Sequence, residues 1–538
     1  MPKEIVTLQL GHTANFVGTH FWNIQNSYFN FENEGGEELD HDVLYRAGRN
    51  VYGDDTYTPR LLILDLKGSL KTLKRVSPLY EAGAEGDDNT VSTWSGRVEK
   101  HVQEPYKKND FLKSLDEETT TSEEPVSFSS HLEQSVTVWS DFNNLFYHPK
   151  TVVELPHFLH DDDQNPFSAF TQGLDVMGDP DFRDDILEER LRFFVEECDS
   201  LQGFNLMADA VDGFAGVTAS LLEYISDEFP KKSAMTFGIH KPSSKEDTNK
   251  SHTVAAINSA LLMDAAAKNS SLYVPLYAPT TASCPSGAWS KYLRHLSSPY
   301  QWSAHLAASI ETALLPVRLK TSPPQLESLT QLISGGSSRT VAALASGLPF
   351  PLHQDAPFSK AFTVEKGRIP WMLDLTLRVP YDQLGEEYGQ CCVVRGVSEL
   401  SRRQSENQRL PTKSEVQEAL ASFLESSSST RGQCYAIEKP MPIGESFPQI
   451  FSSQIDENGL INNTRSATSK SPTTRVAMLT RLKMSPHLKD IFVNASSIFK
   501  KVNVPISVLY EKGDHGLNRE DWMAVKESLQ ELADSYED

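Results

Sequence analysis

Apolar runs and amphipathic stretches alternate through the first half of the chain. Glu4–Leu10 is a β-type run, and Leu61–Leu66 is a continuous apolar segment of the kind buried on both faces of a parallel sheet. In Asp184–Cys198, by contrast, apolar residues recur at helical spacing. The pattern then predicts strands at Gly203–Met207, Ala234–Ile239 and Ser271–Leu276, with helices at Thr218–Phe229 and Val254–Ala267. We therefore predict an α/β fold with an open parallel sheet covered by helices on both faces.

The second half of the chain shows a looser pattern of strands and helices. Its predicted helices are Ser303–Leu314, Lys413–Leu424, Pro486–Lys500 and Arg519–Tyr536, and its predicted strands are Val317–Leu319, Cys391–Val394, Val476–Leu482 and Ile506–Tyr510.

Residues 82–134 are rich in Glu, Asp, Ser, Thr and Lys. That composition predicts a flexible insertion.

Charge and cysteine usage exclude several classes of function. The 538 residues contain 50 Lys plus Arg against 73 Asp plus Glu, a net charge of −23. A nucleic-acid partner is not expected, because neutralising phosphates needs a basic face. The five cysteines form no CxxC pair, which fits a reducing compartment. The sequence shows no targeting leader and no apolar run near the ~18 residues of a membrane span. We predict a cytoplasmic protein whose membrane association is peripheral.

The most informative segment is the turn Val211–Val217, between a predicted strand and the next helix. A glycine-containing turn that opens a helix is how a phosphate loop is built, because its backbone N–H groups point at the anion. Here, however, Asp212 and Phe214 accompany Gly213 and Gly216. A carboxylate ~4 Å from a phosphate costs on the order of several kcal/mol at an effective dielectric constant of ~20. The turn has the layout of a nucleotide site, but its residues oppose a phosphate.

Several segments resemble tubulin. The opening strand ends in Gln-x-Gly, followed by Asn15, Gly18 and Phe21-Trp22, and the segment Cys198–Phe204 is similar to the tubulin sequence before its phosphate loop. The chain more closely resembles the Misato family of tubulin-like proteins. The segments that carry this resemblance are LQLGHTANFVGTHFWN, DVLYR, TYTPRLLILDLKGSL, VWSDF, FVEECDSLQGFN and SAHLAASIETALLPVRL.

The resemblance implies a tubulin/FtsZ-like fold in three parts. The expected parts are a nucleotide-binding-type domain over 1–279, a smaller α+β domain over 280–440, and a C-terminal strand and helix region over 441–538. It further implies a role in mitochondrial distribution, morphology and network fusion, together with a role in cell division and microtubule organisation. The protein would act from the cytoplasm or the mitochondrial outer membrane. Its expected partners are outer-membrane, cytoskeletal or chaperonin proteins.

The resemblance also places a vestigial nucleotide pocket. Its candidate residues are Gly11, His12, Asn15, Asp65, Lys67, Asp212, Gly213, Phe214 and Gly216. Tubulins have Gly-Gly-Gly-Thr-Gly-Ser-Gly where this chain has Val211–Val217, and an acidic residue where it has Lys67. We expect neither GTP nor a metal as a resident cofactor. The histidines near Asp161–Asp163 are interpreted as part of a solvated loop.

Catalysis is not expected either. In tubulin polymers an acidic residue after a long central helix reaches the neighbouring subunit's GTP, and here the prolines at 279, 285 and 299 suggest that this helix is shortened or lost. The leading hypothesis is a non-enzymatic protein that works by binding other proteins. One alternative is a GTP-binding switch or GTPase of the tubulin class. Another is a cofactor or client of the cytosolic chaperonin that affects tubulin supply.

Overall fold

A computed structural model defines the architecture. It describes residues 3–29, 38–49, 53, 55–73, 106–116, 129–242, 248–279, 292–294, 296–352, 358, 361, 371–376, 387–401, 412–427, 432–461, 472–502 and 504–537. The strands are β1 Ile5–Leu10, β2 Tyr45–Arg49, β3 Asp55–Pro59, β4 Leu61–Lys67, β5 Val152–Leu159, β6 Gly203–Asp209, β7 Ser233–His240, β8 Leu272–Tyr277, β9 Ala343–Gly347, β10 Leu373–Asp374, β11 Gly389–Arg395, β12 Gly432–Ile437, β13 Met441–Pro442, β14 Arg475–Val476 and β15 Met478–Met484.

The helices lie between and around these strands. They are α1 His12–Asn26, α2 Asp110–Asp116, α3 Ser129–Ser135, α4 Phe170–Gly178, α5 Pro180–Asp184, α6 Arg192–Glu196, α7 Phe214–Glu228, α8 Asn249–Asn269, α9 Pro299–Leu314, α10 Leu326–Ser334, α11 Val397–Ser401, α12 Lys413–Ser427, α13 Lys489–Ile498, α14 Val504–Tyr510 and α15 Arg519–Ser535. A π-helical segment, Asp185–Leu191, joins α5 to α6.

A six-stranded sheet forms the first half of the molecule, in the order β5-β4-β1-β6-β7-β8. Every neighbouring pair in this sheet is parallel. The central strands β1 and β6 are buried along their whole lengths, which fits their mainly apolar sequences. Because the strands are parallel, their carboxyl ends meet at one edge of the sheet, where ligand sites of open α/β folds usually lie.

A five-stranded sheet, in the order β10-β9-β15-β11-β12, forms the second half. Helix α9 joins the two halves, because it contacts α1 on one side and β11 and β15 on the other. Pro299 lies in its first turn, where a proline is tolerated. A buried helix of 16 residues therefore begins at the last of the three prolines.

The predicted fold class is confirmed, with a parallel sheet first, a second mixed sheet next and helices at the C-terminus. Two strand predictions are wrong. Val317 and Arg318 lie in a 3-10 turn, Leu315–Arg318, that extends α9, and Leu319 follows this turn. Ile506–Tyr510 lies in helix α14, because Ile506 and Tyr510 stand one helical turn apart and are both buried.

The described part of the predicted insertion contains two short helices. Helices α2 and α3 place Phe111 and Leu132 in the main hydrophobic core. The rest of residues 82–134 lies outside the described residues. Within the described ranges, no helix combines the length and the apolar character needed to span a bilayer.

Candidate functional site at the carboxyl edge of the parallel sheet

Three neighbouring strands bring polar side chains to the carboxyl edge of the parallel sheet. Gly11 follows β1, Asp65 is near the end of β4, and Asp209 is the last residue of β6. Helix α1 begins directly after Gly11, so its first backbone N–H groups open onto the same edge. These amides and the partial positive charge of the helix N-terminus form a potential anion site.

The carboxylate of Asp209 already occupies this anion site. Its Oδ1 accepts a hydrogen bond of 2.7 Å from the backbone N–H of Ala14, and its Oδ2 accepts one of 2.9 Å from that of Thr13. Asp209 is only 1% exposed. Gly11 has φ 106°, and a Cβ there would lie 2.6 Å from Asp209 Oδ2. A glycine is therefore required at position 11 for the carboxylate to approach the helix.

Asp212 adds a second carboxylate beside Asp209. Burial raises the pKa of Asp209 well above its ordinary value, the charge of Asp212 raises it further, and the two backbone N–H groups oppose both effects. Burial raises the pKa of Asp212 to about 6, and Lys241 opposes that shift. Lys241 is an exposed cation that is not among the residues predicted from the sequence. Ionisation of Asp209 and Asp212 in the folded protein therefore costs free energy.

Asp65 is held by its own hydrogen-bond partners. Its Oδ2 accepts from Asn15 Nδ2 at 3.0 Å and Trp139 Nε1 at 2.7 Å, and it lies 3.2 Å from His12 Nδ1. Burial favours a raised pKa for Asp65, but His12 and the other donors lower it below the ordinary value. His12 also packs on His160, with ring centroids 4.1 Å apart. These partners leave Asp65 little capacity for a ligand.

The glycines of the turn 211–217 serve helix packing. A Cβ on Gly216 would lie 1.9 Å from the carbonyl oxygen of Phe170, at the start of α4. A Cβ on Gly213 would meet the ring of Phe167 at 2.7 Å. Phe214 is buried, with its ring centroid 5.1 Å from that of Phe167. Close packing of α7 on α4 and on Phe167 therefore accounts for both glycines in physical terms.

The structure gathers most of the predicted site residues at one edge. Gly11, His12, Asn15 and Asp65 surround the start of α1, while Asp212, Gly213, Phe214 and Gly216 lie on the adjoining turn at the start of α7. Lys67 ends β4 with an exposed side chain. Asp209 and Trp139 belong to the site but are not among the predicted residues. An acidic residue at the last position of a buried strand was the available signal for Asp209.

These residues do not fit a nucleotide phosphate in this conformation. The amides of Thr13 and Ala14 that would receive the phosphate are bonded to Asp209. Any incoming phosphate would also meet the second carboxylate, Asp212. Among the described residues, no group of His, Cys, Asp and Glu side chains has an arrangement suited to a metal ion.

Comparison with known proteins identifies both the class and the family of this chain. Residues 129–319 match the tubulin domain, so the chain is a tubulin-like protein. Residues 3–117 match the Misato Segment II tubulin-like domain. The chain is 31% identical to Protein misato homolog 1 of Homo sapiens over 491 residues, which cover 84% of each protein. It is 29% identical to that of Danio rerio, over 90% of this chain and 88% of the relative.

A fungal relative gives the same result. The chain is 32% identical to Protein DML1 of Gibberella zeae over 350 residues, covering 64% of this chain and 67% of the relative. The chain belongs to the Misato family, and the predicted resemblance is confirmed.

Proposed function

We propose that this chain is a non-catalytic tubulin-like protein that acts by binding other proteins. The observation that carries the proposal is the carboxylate of Asp209 on the amides of Thr13 and Ala14. In this arrangement the protein supplies its own anion to the helix N-terminus that a phosphate would need. The fold is retained as a scaffold, while the phosphate site is filled from within.

Electrostatics support the same proposal. A nucleoside triphosphate would have to displace Asp209 from the backbone N–H groups of Thr13 and Ala14. The Asp209 carboxylate would then be buried without its donors, and the phosphates would lie next to Asp212. Each ~1.4 kcal/mol of such cost lowers affinity tenfold. The exposed cations Lys67 and Lys241 offset only part of that repulsion, because exposed charges are screened. On this basis neither GTP nor GTPase activity belongs to the proposed function.

The cellular part of the proposal rests on membership of the Misato family. We assign the chain to the control of mitochondrial distribution, morphology and network fusion, with a further role in cell division and microtubule organisation. It would act in the cytoplasm and associate peripherally with the mitochondrial outer membrane. Outer-membrane, cytoskeletal or chaperonin proteins are the proposed partners.

A nucleotide-occupancy measurement tests the biochemical part. Protein purified without unfolding is denatured, and any released nucleotide is identified by mass spectrometry, alongside calorimetric titration with GTP and magnesium. We expect less than one-tenth of a nucleotide per chain and no binding at micromolar GTP. Stoichiometric guanine nucleotide, or GTP turnover that is lost in Asp65→Asn, would establish the alternative of a GTP-binding switch or GTPase.

A rescue experiment tests the cellular part. Cells depleted of this protein receive either the wild-type chain or the double variant Lys67→Ala, Lys241→Ala, which removes two exposed cations near the edge of the sheet. We expect depletion to change the mitochondrial network and both chains to restore it equally. An unchanged network after depletion would refute the mitochondrial role. Failure of the double variant alone, at equal protein level, would favour a nucleotide-dependent switch.

A further inference from the structure

A second polar site lies away from the sheet edge, where α9 meets the first helix and the second sheet. Its centre is Arg318, the last residue of the 3-10 turn that follows α9. The backbone carbonyl of Arg318 accepts a hydrogen bond of 2.7 Å from the N–H of Asp40, which fixes the turn. The side chain is only 2% exposed. It lies near Tyr28 and Tyr45, both of which influence its pKa.

The guanidinium of Arg318 has no hydrogen-bond acceptor among the described residues. Its Nε, Nη1 and Nη2 are all buried and unpartnered. The nearest carboxylate oxygen, Glu311 Oε1, is 3.8 Å from Nη1, which is beyond hydrogen-bond distance. Buried guanidinium groups in folded proteins are nearly always hydrogen-bonded, because an unpaired buried charge is strongly disfavoured.

Glu311 does not serve as the missing acceptor for Arg318, because other donors already bind both of its carboxylate oxygens. Its Oε2 accepts from Arg395 Nη1 at 2.8 Å, and its Oε1 accepts from Tyr28 Oη at 2.9 Å and Gln25 Nε2 at 3.3 Å. Burial raises the pKa values of Tyr28 and Tyr45, so both phenols stay neutral. The cluster therefore holds two guanidinium cations and one carboxylate, an excess of one positive charge.

We propose that Arg318 binds a small monovalent anion of the halide class, chloride in the cell. A single negative charge matches the single excess positive charge. The Oη of Tyr45 is also buried without a hydrogen-bond partner among the described residues, and it can donate to the same anion. Arg318, Glu311, Arg395 and Tyr45 are each at most 2% exposed, which favours a compact ion over a phosphate ester or a larger carboxylate.

The position of the ion would give it a structural role. Glu311 belongs to α9, Arg395 ends β11 of the second sheet, and Tyr45 lies on β2 beside the first helix. An anion at Arg318 completes the charge balance at the point where these three parts meet. It would stabilise the folded protein by an amount that grows with the chloride concentration relative to the dissociation constant.

Crystals grown with bromide in place of chloride give a direct test. We expect an anomalous scattering peak within hydrogen-bond distance of the Arg318 guanidinium in the wild-type protein. A water molecule there, for example bridging to the unpartnered Oε1 of Gln25, would overturn the proposal. So would a side chain of this chain at the same position. This test needs no variant.

A stability titration gives an independent test with a matched control. The thermal midpoint is measured as chloride replaces methanesulfonate at constant ionic strength. We expect the thermal midpoint of the wild type to rise with the logarithm of the chloride concentration once that concentration exceeds the dissociation constant. The rise should begin at a chloride concentration on the order of tenfold higher in Arg318→Lys, and it should be absent in Arg318→Met. Arg49→Met, which removes an exposed arginine, should keep the wild-type response. Identical chloride responses in the wild type and Arg318→Met would refute the site.

Discussion

At the scale of single residues, the chemistry of this chain depends on where its buried charges find partners. Asp209 and Asp65 are both buried at the edge of the sheet, but burial and Asp212 raise the pKa of Asp209, whereas His12 and amide donors lower that of Asp65. The neighbouring groups cause this difference in pKa, because both carboxylates lie near the carboxyl ends of parallel strands of one sheet. At this edge of the sheet the Asp65 carboxylate is therefore well stabilised, whereas those of Asp209 and Asp212 repel each other.

Replacing Asp212 with asparagine should stabilise the protein at neutral pH. The folded-state pKa of Asp212 is raised from 3.8 to about 6, so ionising it opposes folding above about pH 6 and has no effect below about pH 4. The amide oxygen of the new side chain can still accept from the N–H of Phe214, as the carboxylate does. We expect Asp212→Asn to gain about 1 kcal/mol at pH 7.5, and nothing at pH 4, in urea denaturation. The exposed Asp163→Asn serves as control, and a gain of equal size at both pH values would contradict the argument.

His20 should make the protein sensitive to acid. Burial lowers its pKa from 6.5 to about 3, although a hydrogen bond to the carbonyl of Tyr300 partly opposes the shift. The unfolded chain therefore gains a proton that the folded chain does not, and stability is lost as the pH falls below 6.5.

His20→Gln keeps a donor for the Tyr300 carbonyl and removes the titration. Between pH 6.5 and pH 4.5 the wild type should lose about 2 kcal/mol more stability than this variant. Urea denaturation at several pH values measures the difference. Parallel pH profiles for the two proteins would show that His20 does not titrate on unfolding.

At the scale of elements, close helix packing explains features that a sequence pattern assigns to ligand binding. Gly173 on α4 and Gly216 on α7 are complementary, because a Cβ on either would press into the backbone of the facing segment, at 2.0 Å and 1.9 Å. The turn 211–217 is thereby held against α4. Asn258 of α8 reinforces it by donating to the carbonyls of Val211 and Ser168.

Gly216→Ala should therefore be strongly destabilising although alanine favours helices. The added Cβ cannot be accommodated without separating α4 from α7, and overpacking of this kind costs about 1–3 kcal/mol or more. The matched control is Gly444→Ala, whose Cβ would contact only the flexible Ser27 side chain at 3.1 Å. Chemical denaturation of both variants measures the effect. Equal stabilities would mean that the helices separate at little cost.

The elements of the parallel sheet could be predicted from the sequence, but the contacts between distant residues could not. A continuous apolar run identifies β4, since burial on both faces leaves a local signature in the sequence. The pattern wrongly predicts a strand for α14, whose Tyr510 donates to Asn258, a residue 252 positions away that the local pattern does not include. The bond from Asp209 to Ala14 of α1 spans 195 residues, and no local pattern reports it.

At the scale of the whole molecule, the two sheets are coupled through α9 and its buried charges. Glu311 of α9 bonds to Arg395 at the end of β11, and Arg395 also donates to the carbonyl of Pro440 at 3.0 Å. On the other side, Glu311 accepts from Gln25 of α1 and from Tyr28 just beyond it. The carboxylate of Glu311 thus lies within 4 Å of two buried arginines, at 2.8 Å from Arg395 and 3.8 Å from Arg318.

Neutralising Glu311 should consequently weaken both halves of the protein together. Glu311→Gln keeps the size of the side chain and removes the negative charge that lies next to Arg395 and Arg318, and breaking a buried ion pair in this way costs about 3–5 kcal/mol. We expect this loss in denaturant unfolding, with hydrogen exchange accelerated in β1 and β11 alike. Glu418→Gln on the exposed face of α12 should change stability by less than about 0.5 kcal/mol. Faster exchange confined to β11 would show instead that the charge cluster stabilises the second sheet alone.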